Sequence, residues 1–240
     1  MLKEEQMSVY MPISLLFELD GQESIKKTHR DLVFSYLYMI TIFWKYGYYI
    51  REKIVLADIK EALGYSRVDK RTNYLFKVGG ELDALGYTRV SKNPPMSFKV
   101  EDGAIVHEYI NDAPREFSKE IIENNINNCV IKEPLFYENG TRYDFKGAIN
   151  IKLSMFNYFL NQGEDIKQGV SLFYLYSCLM YMSNVNNGEV FACSNETLVK
   201  YMGWSLRKVI ALTDTLVDIG LIQKGQEKKA KGNVNHYKIL

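Results

Sequence analysis

The sequence contains few of the residue patterns from which catalytic and metal sites are built. Its three histidines, His29, His107 and His236, are scattered and have no partner at ligand spacing, so the sequence predicts no metal site. It has no Walker-type glycine loop and no Gly-x-Ser-x-Gly motif, and no pair of carboxylates is singled out by spacing. A replication nickase would need a histidine cluster with a nucleophilic tyrosine, and that cluster is absent. We therefore expect a protein that is not an enzyme and uses no cofactor.

Cysteines and long apolar runs are also scarce. The three cysteines, Cys129, Cys178 and Cys193, are odd in number and have no C-x-x-C spacing. This pattern indicates that they serve as small apolar residues in a reducing compartment. The N-terminal residues are charged and lack a signal-peptide core. The most apolar run, residues 32–44, is too short and too rich in tyrosine to cross a bilayer. We expect a cytoplasmic protein with no membrane partner.

Net charge is close to zero, but the charges are unevenly distributed. The formal net charge is +1 over 240 residues, so bulk charge does not indicate a nucleic-acid partner. Residues 60–99 hold eight basic against four acidic side chains, and residues 207–238 hold seven against three. Residues 101–146 hold ten acidic against five basic side chains. Two basic segments thus flank an acidic connector.

Two stretches of the chain repeat one pattern at an offset of about 139 residues. Residues 11–17 match residues 150–156, and a Tyr-Leu-Tyr motif at 36–38 recurs at 174–176. A Gly-aromatic-Ser motif at 64–66 recurs at 203–205, and Gly86 corresponds to Gly220. A one-residue slip and one gap of five residues account for the whole match, which indicates an internal duplication.

The second copy predicts a series of short helices and strands with clear boundaries. We expect an extended arm at 148–156, an apolar helix at 170–182, a strand at 189–192 and a helix at 196–202 with Ser194 as its N-cap. Gly203 and Trp204 form a tight turn, and Ser205 caps a helix at 206–219. Strands at 221–224 and 236–240 then flank a loop at 225–235. This is the order of a winged helix-turn-helix domain.

The first copy gives the same order with more irregularity. After a frayed tail at 1–10, we expect an arm at 12–17, a helix at 28–46 and a helix at 56–63 ended by Gly64. Ser66 caps a third helix that reaches Gly86, weakened by Gly79 and Gly80. Strands at 87–90 and 97–100, joined by a turn at 92–95, form its wing. The connector could form one amphipathic helix at 116–126, and we expect no third core there.

The predicted fold class is therefore α+β, mostly helical, with two winged helix-turn-helix domains that arise from an internal duplication. The predicted domains are residues 1–100, an acidic connector at 101–147, and residues 148–240. Tyrosines of the first helices could stack on bases, but packing in a core or an interface is favoured.

The third helix of the second copy is the predicted recognition helix. Leu206, Val209, Ile210, Leu216 and Val217 are expected on its buried face. The predicted DNA contacts of this copy fall into three groups. Base-edge or phosphate contacts come from Ser205, Arg207, Lys208 and Ala211; phosphate contacts from Ser194, Asn195 and Thr197; and backbone or minor-groove contacts from Lys224, Lys228, Lys229, Lys231, Asn233 and His236.

The equivalent positions of the first copy are also basic. They are Ser66, Arg67, Lys70, Arg71, Asn73 and Lys77, with Arg89 and Lys92 on the wing. Arg67 and Arg71 are the better base readers, because arginine binds guanine O6 and N7 with two hydrogen bonds. For any single lysine in either copy, a solvated surface residue is the favoured interpretation. The recurrence of basic residues after the same turn favours DNA binding for the set, although winged helices also mediate protein contacts.

The second copy resembles the helix-turn-helix domain of replication initiators and replisome organisers from Gram-positive plasmids and phages. The resemblance covers residues 150–240 and rests on residues 151–156, the run 194–205, Gly220 to Ile222 and the segment 233–237. The tandem arrangement is similar to plasmid initiators with two winged helices. That resemblance implies binding of double-stranded DNA at direct repeats as a monomer and self-repression as a dimer.

Two DNA-binding roles stay open at this point. The first is a plasmid or phage replication initiator that binds origin repeats and contacts host replication proteins. The second is a transcription regulator, or a segregation or conjugation accessory protein, that binds an operator or a centromere-like array. A protein-interaction module without a DNA role is the third reading. A homodimer is possible, with the first copy as the better candidate for the contact.

Overall fold

The structure is a computed structural model, and it describes residues 4–12, 14–52, 54–102, 104–114, 116, 119, 131–135, 148–229 and 232–240. The fold is mixed α/β, with helices and small β-sheets. The chain divides into two compact units that are not continuous in sequence. Unit 1 contains Met1–Tyr10, Tyr36–Lys146 and Lys152–Ser154, and unit 2 contains Met11–Ser35, Gly147–Ile151 and Met155–Leu240.

The helices and strands are as follows. The helices are α1 (Ser14–Gly21), α2 (Arg30–Lys45), α3 (Tyr48–Arg51), α4 (Leu56–Ala62), α5 (Asn73–Phe76), α6 (Glu81–Ala84), α7 (Leu153–Leu160), α8 (Ile166–Val185), α9 (Asn195–Met202) and α10 (Leu206–Asp218). The strands are β1 (Ser8–Pro12), β2 (Thr88–Val90), β3 (Pro95–Glu101), β4 (Ala104–Tyr109), β5 (Lys132–Pro134), β6 (Ala148–Lys152), β7 (Phe191–Cys193), β8 (Ile222–Lys229) and β9 (Gly232–Ile239).

Unit 2 is built around α8, which is buried from Gly169 to Leu179. The helix begins where the Asp165 carboxylate accepts the Gln168 N–H at 2.8 Å. Its Phe173 ring packs against Phe156 with ring centroids 4.8 Å apart, and against Phe34 at 5.7 Å. This aromatic core confirms the apolar helix predicted from the sequence.

A three-stranded antiparallel sheet of order β7-β9-β8 completes unit 2. Strands β8 and β9 pair from Ile222 opposite Ile239 to Lys229 opposite Gly232. The predicted loop at 225–235 is therefore wrong for most of its length, because the polar residues continue the ladder on both strands. Alternation of apolar and polar residues is weak here, and for that reason the sequence did not indicate a strand.

In unit 1, β2 pairs with β5 and β3 pairs with β4, both antiparallel. The predicted wing is thus wrong in its pairing, because the strands on either side of residues 92–95 pair with strands of the connector and not with each other. The connector also supplies Ile131, which is buried, to the core of this unit. Of the predicted helix at 116–126, only Glu116 and Lys119 lie within the described residues.

The predicted third helix of the first copy is also wrong. The segment from Ser66 to Thr72 consists of turns, and the short helices α5 and α6 follow with Gly79 and Gly80 between them. Gly79 has φ +65°, and a Cβ on Gly80 would lie 2.7 Å from the Leu75 and Tyr74 carbonyl oxygens. A continuous helix cannot pass through this backbone, since the left-handed residue reverses its curvature.

The N-terminal predictions need a similar correction. Residues 8–10 belong to β1 and not to a frayed tail, and the predicted arms continue into α1 and α7. Leu15, Leu16 and Leu19 are buried on α1, which is the spacing of one helix face. The tyrosines Tyr36, Tyr38, Tyr49, Tyr174 and Tyr176 are buried, as predicted for packing residues.

Candidate nucleic-acid interface

Helices α9 and α10 of unit 2 are joined by a turn whose geometry is fixed at both ends. The Ser194 hydroxyl accepts the Thr197 N–H at 3.1 Å and begins α9, and the Ser205 hydroxyl accepts the Lys208 N–H at 3.3 Å and begins α10. Gly203 ends α9 with φ +69°, and its N–H donates to the Val199 carbonyl. The caps and the turn predicted from the sequence are confirmed.

Gly203 is also closely packed. A Cβ at this position would lie 2.8 Å from Arg30 Nη1, and the Arg30 guanidinium donates to the Tyr201 carbonyl at 3.3 Å. Arg30 is buried, so a cation lies at the C-terminus of α9, where the helix dipole is negative. No side chain fits at Gly203 without displacing this cation.

The first turns of α10 expose Ser205, Arg207 and Ala211, as expected of base-contacting residues. Lys208, however, points inward. Its ammonium group lies 2.9 Å from Ser171 Oγ, 3.4 Å from Asp31 Oδ2 and 4.0 Å from the centroid of the Trp204 ring. The Ser171 hydroxyl in turn donates to Asp31 Oδ2 at 2.5 Å. The structure therefore engages Lys208 in an internal network.

The burial predicted for α10 is only partly correct. Val209 and Leu216 are buried, together with Leu212 and Thr213. Leu206, Ile210 and Val217 are 46%, 36% and 36% exposed. These three residues lie at the edge of the apolar face, where helical periodicity alone does not decide between core and solvent.

The phosphate-binding residues predicted at the start of α9 already have partners in the protein. Ser194 and Thr197 hydrogen-bond to each other at 3.1 Å. Asn195 Oδ1 accepts the Asn235 side-chain amide at 2.7 Å. Ser194 and Thr197 also line a cavity of about 330 Å³ with Tyr181, Phe191 and Tyr201. The structure brings Ser194, Asn195 and Thr197 together, but Asn195 connects α9 to β9.

The hairpin of β8 and β9 carries the remaining predicted contacts of unit 2. Lys224 donates to Asp214 at 2.8 Å and to Thr213 at 3.3 Å. His236 lies 3.1 Å from Glu227. The backbones of Lys228 and Asn233 pair near the hairpin end, with Lys229 opposite Gly232, whereas Lys231 lies outside the described residues.

In unit 1 the predicted base readers are exposed and paired with carboxylates. Arg67 lies 2.5 Å from Asp58 and 2.9 Å from Glu61. Arg71 lies 2.5 Å from Asp69, and its hydrogen bonds lower the pKa of that carboxyl to about 2. Ser66, Lys70 and Lys77 are exposed nearby.

The other predicted residues of unit 1 are dispersed over different elements. Asn73 accepts a hydrogen bond from Lys60. Arg89 on β2 forms a two-point ion pair with Glu133 on β5, at 2.6 and 2.9 Å. Lys92 is exposed beyond β2. Unit 1 therefore presents its predicted basic residues on loops and on β2, and none of them lies on a long helix.

Sequence reasoning missed Asp31, Ser171 and Arg30, which hold the α9–α10 pair in place. Asp31 and Ser171 lie 140 residues apart in sequence. Neither residue belongs to a recognisable motif, so only the burial of a carboxylate in an apolar helix could have drawn attention to Asp31.

Comparison with protein-family models, with curated proteins and with solved structures finds no significant match to this chain. Among the described residues, no helix has the length and apolar character needed to cross a membrane. The same residues contain no cluster of three or more His, Cys, Asp or Glu side chains with metal-binding geometry. Cys178 and Cys193 are buried free thiols.

Proposed function

We propose that this chain is a sequence-specific binding protein for double-stranded DNA. In this proposal α9, the Gly203–Trp204 turn, α10 and the β8–β9 hairpin act as a winged helix-turn-helix. The observation that carries it is the N-terminal turn of α10, which is capped by Ser205 and exposes Arg207. A hairpin of two eight-residue strands follows this helix and contacts its second half through Lys224. A helix presented by its N-terminal residues is the form in which helix-turn-helix proteins read the major groove.

A second DNA-binding region in unit 1 is part of the proposal. The order of a long helix, a short helix, a left-handed glycine and an aromatic residue occurs in both copies of the repeat, with φ +79° at Gly64 and φ +69° at Gly203. This supports an internal duplication. In the first copy the recognition helix is replaced by turns, so Arg67 and Arg71 would contact DNA from a loop.

The proposed biological role is replication initiation at origin repeats on a plasmid or phage. The support is the resemblance of residues 150–240 to replication initiators and the tandem arrangement of two basic regions. Partners in this role are direct-repeat DNA, host replication proteins and a second copy of the chain.

A footprint on the DNA that flanks its own gene tests the proposal. Protection of an array of direct repeats is expected for an initiator, while protection of one short palindrome at a promoter would assign the regulator role instead. Binding should weaken with salt, since log K falls by about 0.9 per phosphate contact for each unit of log salt. Failure to bind flanking or random duplex at low salt would refute DNA binding altogether.

A further inference from the structure

The exposed surface of the first two turns of α10 is largely apolar. Leu206 is 46% exposed and Ile210 is 36% exposed, and Ala211 is exposed beside them. Leu206 and Ile210 are four residues apart, so their side chains are neighbours on one helix face. Arg207 lies on the same exposed side. Two large aliphatic residues therefore lie at the margin of the exposed surface, beside Arg207, in the first two turns of the proposed recognition helix.

The core of unit 2 does not account for these two side chains. The buried face of α10 is already formed by Val209, Leu212, Thr213 and Leu216. Leu206 and Ile210 each leave a third or more of their surface in water, and that part contributes no burial free energy. A partner that covers Leu206 and Ile210 would recover part of it.

The charges around this surface fit a DNA partner better than an acidic or neutral protein. Arg207 is exposed, and the Asp214 carboxylate, about two turns further along, is paired with Lys224 at 2.8 Å. A phosphate backbone is therefore attracted at the N-terminal turn, and the nearest carboxylate on this helix already has a cation beside it. Within the major groove, the apolar group that base pairs present is the C5-methyl of thymine.

We infer that Leu206 and Ile210 bind thymine C5-methyl groups, so that the DNA site places thymine under the first two turns of α10. The inference rests on the proposed DNA binding. It assigns the hydrophobic part of base recognition to these residues and leaves hydrogen bonding to Ser205 and Arg207.

The test uses deoxyuridine, which pairs as thymine does and lacks the methyl group. A site is first selected from a random duplex library by the full-length protein, and each thymine in it is then replaced singly by deoxyuridine. At one or two positions the affinity should fall roughly fourfold, the value for one buried methyl-sized group. Ile210→Ala or Leu206→Ala should bind the thymine site several-fold more weakly and should no longer distinguish thymine from deoxyuridine there.

Val217→Ala is the matched control. Val217 is as exposed as Ile210, at 36%, but lies two turns further along α10, so its variant should keep the full preference for thymine. Circular dichroism of each variant confirms that the fold is retained, and the two independent alanine variants allow the test to proceed if one of them unfolds.

Three results would overturn the inference. Equal affinity of the wild type for every thymine and deoxyuridine site would leave DNA binding intact and remove the role of Leu206 and Ile210. A selected site without thymine would do the same. Conversion of a dimer to a monomer by Ile210→Ala in the absence of DNA would assign this surface to self-association. Absence of any duplex binding would instead refute the proposed function itself.

Discussion

The ammonium group of Lys208 lies 2.9 Å from the Ser171 hydroxyl, on a neighbouring helix of the same unit. Asp31, which is 6% exposed, completes the network through the same hydroxyl. Lys208 was predicted as a DNA contact because it was assigned, with Arg207, to the exposed face of α10. Adjacent residues on a helix point about 100° apart, so one side chain faces solvent while the other reaches α2 and α8.

Replacing Lys208 should therefore change the stability of unit 2, whereas replacing Arg207 should change DNA binding. Lys208→Met removes the cation that faces a buried carboxylate and should destabilise unit 2 by about 1–2 kcal/mol, less than a fully buried pair because the Lys208 side chain is 40% exposed. Arg207→Ala should leave stability unchanged and should reduce the salt slope of DNA binding by about 1. Urea unfolding and salt titration measure the two effects. A reduced salt slope in Lys208→Met would show that Lys208 contacts phosphate after all.

Alanine at Gly203 should destabilise unit 2 more than alanine at Gly220. Both glycines are left-handed, with φ +69° and φ +73°, so each variant incurs about 1–2 kcal/mol of backbone strain. Only Gly203 has a neighbour in the way, since its Cβ would lie 2.8 Å from Arg30 Nη1, whereas nothing lies within 4 Å at Gly220. Thermal melts of the two variants give the steric difference directly. Equal melting temperatures would mean that Arg30 moves aside without cost.

Aspartate at Ser205 should separate folding from DNA binding. Aspartate accepts the same N-terminal N–H as serine, so Ser205→Asp should keep the cap and the stability of α10, whereas Ser205→Ala should lose about 1 kcal/mol. The DNA affinities of the two variants should follow the opposite order. Ser205→Asp should bind more weakly than Ser205→Ala, because a carboxylate at this exposed position repels phosphate. Melting temperatures and binding affinities of both variants check this. Equal binding by serine and aspartate proteins would place Ser205 away from the DNA.

The contribution of Lys45 to the stability of unit 1 should increase with pH above 8. Burial lowers the pKa of the Lys45 ammonium from its ordinary 10.5 to about 8, while its Nζ donates to the Ser8 carbonyl at 2.6 Å. Between about pH 8 and pH 10 the unfolded chain binds more protons at this residue than the folded chain does, so the free energy of unfolding rises with pH.

Lys45→Met isolates this effect. Burial raises the pKa of Tyr38 and of Cys178, and these groups reduce stability at higher pH in both proteins. The difference in unfolding free energy between wild type and variant should therefore change in favour of the wild type from pH 7.5 to pH 9.5, which urea unfolding at each pH measures. A constant difference would mean that Lys45 is hydrated and has an ordinary pKa.

Local signals in the sequence predicted the local features of the interface and little beyond them. Ser194, Gly203 and Ser205 act within four residues of themselves, through caps and a left-handed turn, and all three predictions are confirmed. The inward direction of Lys208 depends on Asp31, 177 residues away. No property of the segment around Lys208 contains that information.

In the first copy, too, the sequence predicted a local feature correctly and failed where tertiary contacts decide the structure. Its helix at 56–63 is confirmed as α4, ended by Gly64 at φ +79°. The residues after Ser66 were predicted to form a helix with Ser66 as its N-cap, and Gly79 and Gly80 were expected only to weaken it. Strand β5 was missed because it is three residues long and lies in an acidic segment, and its pairing with β2 is decided by tertiary contacts.

The carboxylate partners of Lys208, Lys224, Arg67, Arg71 and Arg89 have a kinetic consequence. A cation that is neutralised within the protein contributes little to the field that draws a polyanion from a distance. With a net charge of +1, association should proceed near the unsteered rate of about 10⁵–10⁶ M⁻¹s⁻¹. Discrimination between one DNA site and another would then reside in how long each complex lasts, and not in how quickly it forms.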